Sequence, residues 1–180
     1  MPLAAPAESL FFLCPPSPTT GIYSLSLHYA LPSVVKQLEA QKVFAFDTET
    51  TSVDTLSADL VGLSFAFREG EAYYIPVGHA EGKQLERQMV LDRLRGVMEN
   101  PRVGKTGHNL KFDYEVLRRH GLRVQGISFD TMIAAFLLNS LGRSQSLDDL
   151  AYSERGVELI PISALIGTDW GGVVEGTGGG

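Results

Sequence analysis

The stretch Lys42-Val-Phe-Ala-Phe-Asp-Thr-Glu-Thr-Thr51 decides how the chain is read. Mostly apolar residues run as far as Phe46, and then Asp47 and Glu49 follow with only Thr48 between them. In a strand, successive side chains alternate faces, so the two acids share one side while Phe44, Phe46 and Thr48 take the other. Their Cα atoms would lie roughly 6.5 Å apart, close enough for both carboxylates to reach one cation. Unpaired, the acids repel each other and lose hydration at the end of an apolar strand. A divalent ion that prefers oxygen, magnesium or manganese, removes the conflict. The chemistry such ions bring is two-metal phosphodiester hydrolysis. A solvated strand end with no ligand is the plain alternative for the same residues.

Two strand-like runs follow, 60–67 and 71–77, joined by Arg68-Glu69-Gly70, which has the length and the glycine of a hairpin loop. A helix over 30–42 precedes the opening stretch, with Leu31, Val34, Val35 and Leu38 at helical spacing. Beyond the hairpin, Leu85, Met89, Leu91, Leu94, Val97 and Met98 make a helical stripe that ends before Asn100-Pro101. A short extended segment at 102–109 leads to a helix closed by Gly121, with Arg118, Arg119 and His120 in its last turn. A brief strand at 127–130 ends on Asp130, an expected N-cap for the apolar helix 131–140. Ser146 and Asp149 form a capping-box-like start for a helix over 147–155. Three strands and then alternating helices and strands predict an α/β fold, a mixed sheet flanked by helices.

The 180 residues suit one domain of ordinary size, and 44% hydrophobic, 9% aromatic and 20% charged residues are a globular composition. Residues 1–31 read as a leader or linker, 32–167 as the domain, and 168–180 as a glycine-rich disordered tail. Cys14 is the single cysteine, which excludes an internal disulfide and fits a reducing compartment. No apolar run approaches the ~20 residues of a membrane span. Leu10–Cys14 has no Lys or Arg before it, which argues against a signal peptide. A net charge of -6 argues against a general electrostatic grip on nucleic acid, but a carboxylate site carries its positive charge in its metals.

A second constellation lies in Gly107-His-Asn-Leu-Lys-Phe-Asp113. Asp113 falls near the start of a helix, where a carboxylate is also stabilised by the helix dipole alone. Asn109 can hydrogen-bond a phosphate or sugar oxygen, and Phe112 offers a face on which a base can stack.

Phe46–Thr50, His108–Asp113, Phe129–Ser140 and Ser146–Ala151 together resemble, in order and spacing, the proofreading 3′–5′ exonuclease domain of bacterial DNA polymerase I, over about residues 34–167. That family belongs to the DEDD exonucleases, whose fold is ribonuclease H-like. The resemblance implies that Asp47 bridges two divalent metals, Mg2+ or Mn2+, that Glu49 binds the metal on the nucleophile side, and that Asp113 holds the second. Thr50 and Val53 match positions lining the terminal nucleotide, and His108 and Asn109 match positions touching the strand, the histidine standing where the family has glutamine. The implied substrate is the 3′ end of single-stranded DNA. A polymerase module in the full-length protein is implied, as is a cytoplasmic, nucleoid-associated setting in DNA replication and repair.

The family's last motif, Tyr-x-x-x-Asp, has no counterpart here: Tyr152 has Gly156 four residues on, and Asp169 has Leu165 four residues before it. Either the sequence is a fragment or the domain lacks its fourth acid. In the second case the nucleophile-side metal keeps only Asp47 and Glu49, and its occupancy should fall. A non-catalytic nucleic-acid-binding or structural remnant is therefore one rival reading, and a ribonuclease D-like RNA-processing enzyme is another. Gly104-Lys105-Thr106 invites a phosphate-loop reading, but Glu99 stands where that loop needs its first glycine. The four histidines lack metal-ligand spacing. Asp130, Asp148 and Asp149 read as helix caps or surface groups, and the stripe 132–139 as core.

Overall fold

The computed structural model describes residues 27–80, 84–140 and 144–159, with side chains from Leu31 onward. Strand β1 (Val43–Thr50) buries Phe44, Phe46 and Thr48, the alternation expected of a strand whose other face carries Asp47 and Glu49. Strands β2 (Leu60–Arg68) and β3 (Glu71–Pro76) continue from it as an antiparallel meander, turning at Gly70 with φ 77°. The left-handed backbone at that turn suits glycine because it carries no Cβ.

Two parallel strands complete the sheet. Helix α2 (Arg87–Met98) carries the chain to β4 (Gly104–Gly107), and α3 (Leu110–Arg119) carries it to β5 (Ile127–Asp130). The order is β3-β2-β1-β4-β5, with β1 antiparallel to β2 and parallel to β4. β1 is thus the central strand, and its acids stand in the middle of the sheet. Helices α4 (Thr131–Leu138) and α5 (Leu147–Arg155) follow. The expected mixed sheet flanked by helices is present.

The core is one apolar cluster. Helix α1 (Leu27–Glu39) contributes Leu31, Val34 and Leu38, α2 contributes Val90, Leu91, Leu94, Val97 and Met98, and β1 and β2 contribute Phe44 and Phe65. The two rings meet edge to face at 6.0 Å, an arrangement that matches the positive edge of one to the negative face of the other. Glu86 caps α2 by accepting from the N–H groups of Gln88 and Met89, and Ser146 caps α5 by accepting from Asp149. Among the described residues no helix is long and apolar enough to cross a membrane.

Two sequence-based expectations need correction. Helix α1, expected over 30–42, runs Leu27–Glu39 and contains Pro32. Proline has no N–H for the carbonyl four residues earlier, so the second turn of the helix forgoes one backbone hydrogen bond. The stripe on α4 is not core: none of its residues is buried, and Leu137 and Leu138 are 76% and 88% exposed. Helix α4 follows β5, the edge strand, and no described element covers its outer side. Of the expected leader (1–31), residues 1–26 lie outside the described residues, as does the glycine-rich tail (168–180).

Candidate active site

The expected residues that meet in the cleft are delivered by three central elements. Asp47 comes from β1, His108 follows β4, and Asn109, Phe112 and Asp113 occupy the start of α3. Because β1 and β4 are parallel neighbours, the C-terminal end of β4 brings the start of α3 beside the end of β1. Gly107 makes the approach possible: a Cβ there would fall 2.5 Å from Leu110 Cδ2 and 2.7 Å from the Phe46 carbonyl oxygen. The resulting cleft, about 320 Å3, is lined by Asp47, His108, Asn109, Phe112 and Asp113, with Met132, Ser146, Leu147 and Asp148 on its far side.

Asp113 is 1% exposed. Its Oδ1 accepts from the Thr48 N–H at 2.8 Å and from the Thr48 hydroxyl at 2.7 Å, so the helix acid is tied to the strand residue lying between Asp47 and Glu49. Neither of these bonds uses Oδ2. Burial nonetheless raises the Asp113 carboxyl to about 6, against the pull of the Thr48 hydrogen bonds. Asp47 keeps some surface open to solvent at the rim, yet burial, Asp113 and Glu49 all push its carboxyl well above the usual range. Burial raises Glu49 as well. Three acids raised by burial, one of them also by the other two, offer only oxygen and form a donor set that suits a hard divalent cation.

The fit is not a closed cage. Among the described residues no three acid, histidine or cysteine side chains are gathered into a ready metal site. Asp47 and Asp113 share the cleft, while Glu49 stands one step further along the same face of β1 and is not among its lining residues. At that step the β1–β2 register shifts, between Glu49 and Thr50, a bulge that re-aims the strand end next to the acids.

The remaining expected residues divide. Thr50 donates its hydroxyl to the Ser52 carbonyl at 2.8 Å, and Val53 is 57% exposed, so neither lines the cleft. His108 does line it. Thr131 donates its hydroxyl to the Gly107 carbonyl, so in the 2.9 Å contact with His108 it is Nδ1–H that donates to Thr131. Nε2 of His108 is buried and makes no hydrogen bond, and burial holds the ring below its ordinary pKa.

Three features were not evident from sequence. Asp148 lines the cleft, whereas Asp149 is the partner of the Ser146 cap. Asp130 caps α4 as expected, but it also binds the start of α3. Tyr74 stands on the same face as Asp47, through Ser64 between them, and its hydroxyl lies 2.6 Å from His79 Nε2. Burial and then Glu49 raise the Tyr74 pKa. The rejected phosphate loop is confirmed as strand: Lys105 is fully buried on β4 and donates to the carbonyls of Asn100 and Val103 at 2.7 and 2.9 Å.

Comparison with known proteins agrees with this geometry. A family model described as 3′-5′ exonuclease matches residues 27–164. DNA polymerase I of Chloroflexus aurantiacus is 45% identical over 125 residues, covering 69% of this chain and 13% of that protein. The chain thus spans about an eighth of the length of that relative. Among solved structures, the POL domain of Pol1 from M. smegmatis, in complex with DNA primer-template and dNTP, is similar at a TM-score of 0.59 and 23% identity, covering 72% of this chain and 22% of that one. Escherichia coli RNase D, an exoribonuclease involved in structured RNA processing, is similar at 0.53 and 23%, covering 73% and 32%. The sheet is ribonuclease H-like, and the chain belongs to the 3′-5′ exonuclease family of the DNA polymerase I type.

Proposed function

We propose that the cleft hydrolyses the 3′-terminal phosphodiester of single-stranded DNA, with Asp47, Glu49 and Asp113 holding two divalent ions, Mg2+ or Mn2+. The observation that carries this reading is the Asp47–Asp113 pair. The buried Asp113 carboxylate shares a cleft with Asp47, which keeps part of its surface open to solvent, and every influence acting on Asp47 raises its pKa. Such an arrangement lowers the stability of the empty fold, and a bound cation would reverse the effect. Bound there, divalent ions would ease deprotonation of an attacking water and neutralise charge on the leaving oxygen.

The chain's own residues supply the rest. Thr48 fixes the Asp113 carboxyl through two hydrogen bonds, leaving Oδ2 to face Asp47 or a ligand. Asn109 and His108 sit where a terminal nucleotide would pass, and the half-buried Phe112 ring offers a stacking face. Thr50 and Val53, just past the acids on the β1 side, would meet the strand as it leaves the cleft. Asp148 adds a carboxylate from the α5 side, opposite Asp47. In this reading the domain works beside a polymerase module in a bacterial cytoplasm, as proofreading would require.

Polarity tests the reading. A 5′-labelled single strand incubated with Mn2+ should yield a ladder that shortens one nucleotide at a time, and a 3′-terminal phosphate should slow it. Internal cleavage, or indifference to the blocked end, would contradict it. The same ladder on RNA but not on DNA would favour the ribonuclease D-like alternative.

A further inference from the structure

Asn109 is the only non-glycine residue among those described with a left-handed backbone, at φ 60°. It occupies the N-cap of α3, yet its side chain makes no capping hydrogen bond. Asparagine is a favoured cap when extended backbone lets its side chain reach the next turn's N–H groups, and the left-handed geometry turns it away from them. The N–H groups at the very head of the helix are held from another element. Asn109 N–H and Leu110 N–H donate to the Asp130 carboxylate, at 3.2 Å to Oδ1 and 2.7 Å to Oδ2. The same carboxylate caps α4, with Oδ1 accepting from Met132 at 2.9 Å and Ile133 at 3.3 Å. One side chain at the end of β5 therefore holds two helix starts. The neighbouring Thr131 adds a third tie, bridging the Gly107 carbonyl and His108.

The turn held in this way carries His108, Asn109, Phe112 and Asp113, half of the cleft. We propose that Asp130 is a positioning residue for this site: its carboxylate holds the Asn109 and Leu110 N–H groups at the head of α3 and so fixes the helix that bears Asp113, while the left-handed Asn109, whose side chain makes no capping bond, keeps its amide free for the nucleic-acid strand. What the amide meets rests on the proposed function; that Asp130 holds the turn does not. An amide left uncommitted at a strained backbone position fits a ligand contact better than a structural one.

Asp130→Asn keeps one acceptor oxygen and gives up the other. Three of the four bonds use Oδ1, so the loss should fall on Leu110. Amide exchange followed by NMR should show Leu110 exchanging about tenfold faster in D130N, with Met132 and Ile133 little changed. A second variant, Asn109→Gly, suits the left-handed backbone and removes the amide. It should leave Leu110 protection unchanged. Binding is read with a fluorescent oligothymidylate in Ca2+, an ion used here to suppress hydrolysis. Each single variant should weaken binding several-fold, and the double variant should be no weaker than the poorer single one. Unchanged Leu110 exchange in D130N, loss of protection in N109G, or binding losses that multiply would overturn the proposal. Failure of the native chain to bind the oligonucleotide would instead contradict the nucleic-acid reading, and the exchange result would still decide whether Asp130 holds α3.

Discussion

Asp113 joins two constellations that the sequence keeps apart by more than sixty residues. Strand alternation was enough to place Asp47 and Glu49 on one face, because a period of two leaves no other arrangement. The contact with Thr48 was not legible, since nothing local to Thr48 points to a helix start at position 113. The same holds for Asp130, whose partners at 109 and 110 are reached through the fold rather than along the chain. The raised Asp113 pKa carries a stability sign. Between the ordinary 3.8 and about 6, the folded chain holds a proton that the unfolded chain has released, so this group's contribution falls as pH rises through that window. In chelator at pH 7.5, Asp113→Asn should therefore be more stable than the native chain, by on the order of 2 kcal/mol in urea unfolding. It should also lose any stabilisation by Mn2+. Lys105 has the opposite sense. Burial lowers its pKa to about 8, so between that value and 10.5 the unfolded chain binds the extra proton, and this contribution to stability rises with pH. The urea midpoint of the native chain, compared with that of Lys105→Met, should climb between pH 8 and 10; parallel curves would count against the assignment.

Most elements were visible from their periodicity. The meander, α2, α3 and the capped start of α5 follow from apolar spacing and from Gly70, Gly121 and Ser146. Two elements differ from their expectation for physical reasons. Helix α1 runs Leu27–Glu39 rather than 30–42, and the packing of Leu31, Val34 and Leu38 holds it across Pro32 despite the hydrogen bond that the proline removes. Apolar content alone made α4 read as core, and whether a helix is covered depends on its neighbours in space. The junction between β1 and α3 is the element-level feature on which the site depends. Gly107→Ala would push a Cβ against the Phe46 carbonyl, a backbone atom that cannot rotate away. A loss of roughly 1–3 kcal/mol in denaturant unfolding is expected, together with a weaker metal response, since the same shift separates Asp113 from Asp47. An unchanged unfolding midpoint would show that the junction can relax without strain.

At the scale of the whole molecule, the carboxylates are a fault in the empty fold that a cation would repair. Burial raises Asp47, Glu49 and Asp113, and Asp113 and Glu49 push Asp47 further, so protons and metal compete for the same oxygens. Mn2+ should accordingly raise the Tm more at pH 7.5 than at pH 5.5. Asp47→Asn should shrink the difference, and an equal shift at both pH values would place the ion elsewhere. The overall fold is similar to that of solved exonuclease-containing structures, and a shared fold hosts more than one activity, so turnover has to be measured on this chain. The most direct measurement is Mn2+-dependent release of mononucleotide from a 3′-labelled single strand, with the native chain and Asp47→Ala compared side by side. The account predicts release by the native chain and a loss of at least about a hundredfold in the variant. Equal release from both, or none from either, would contradict it.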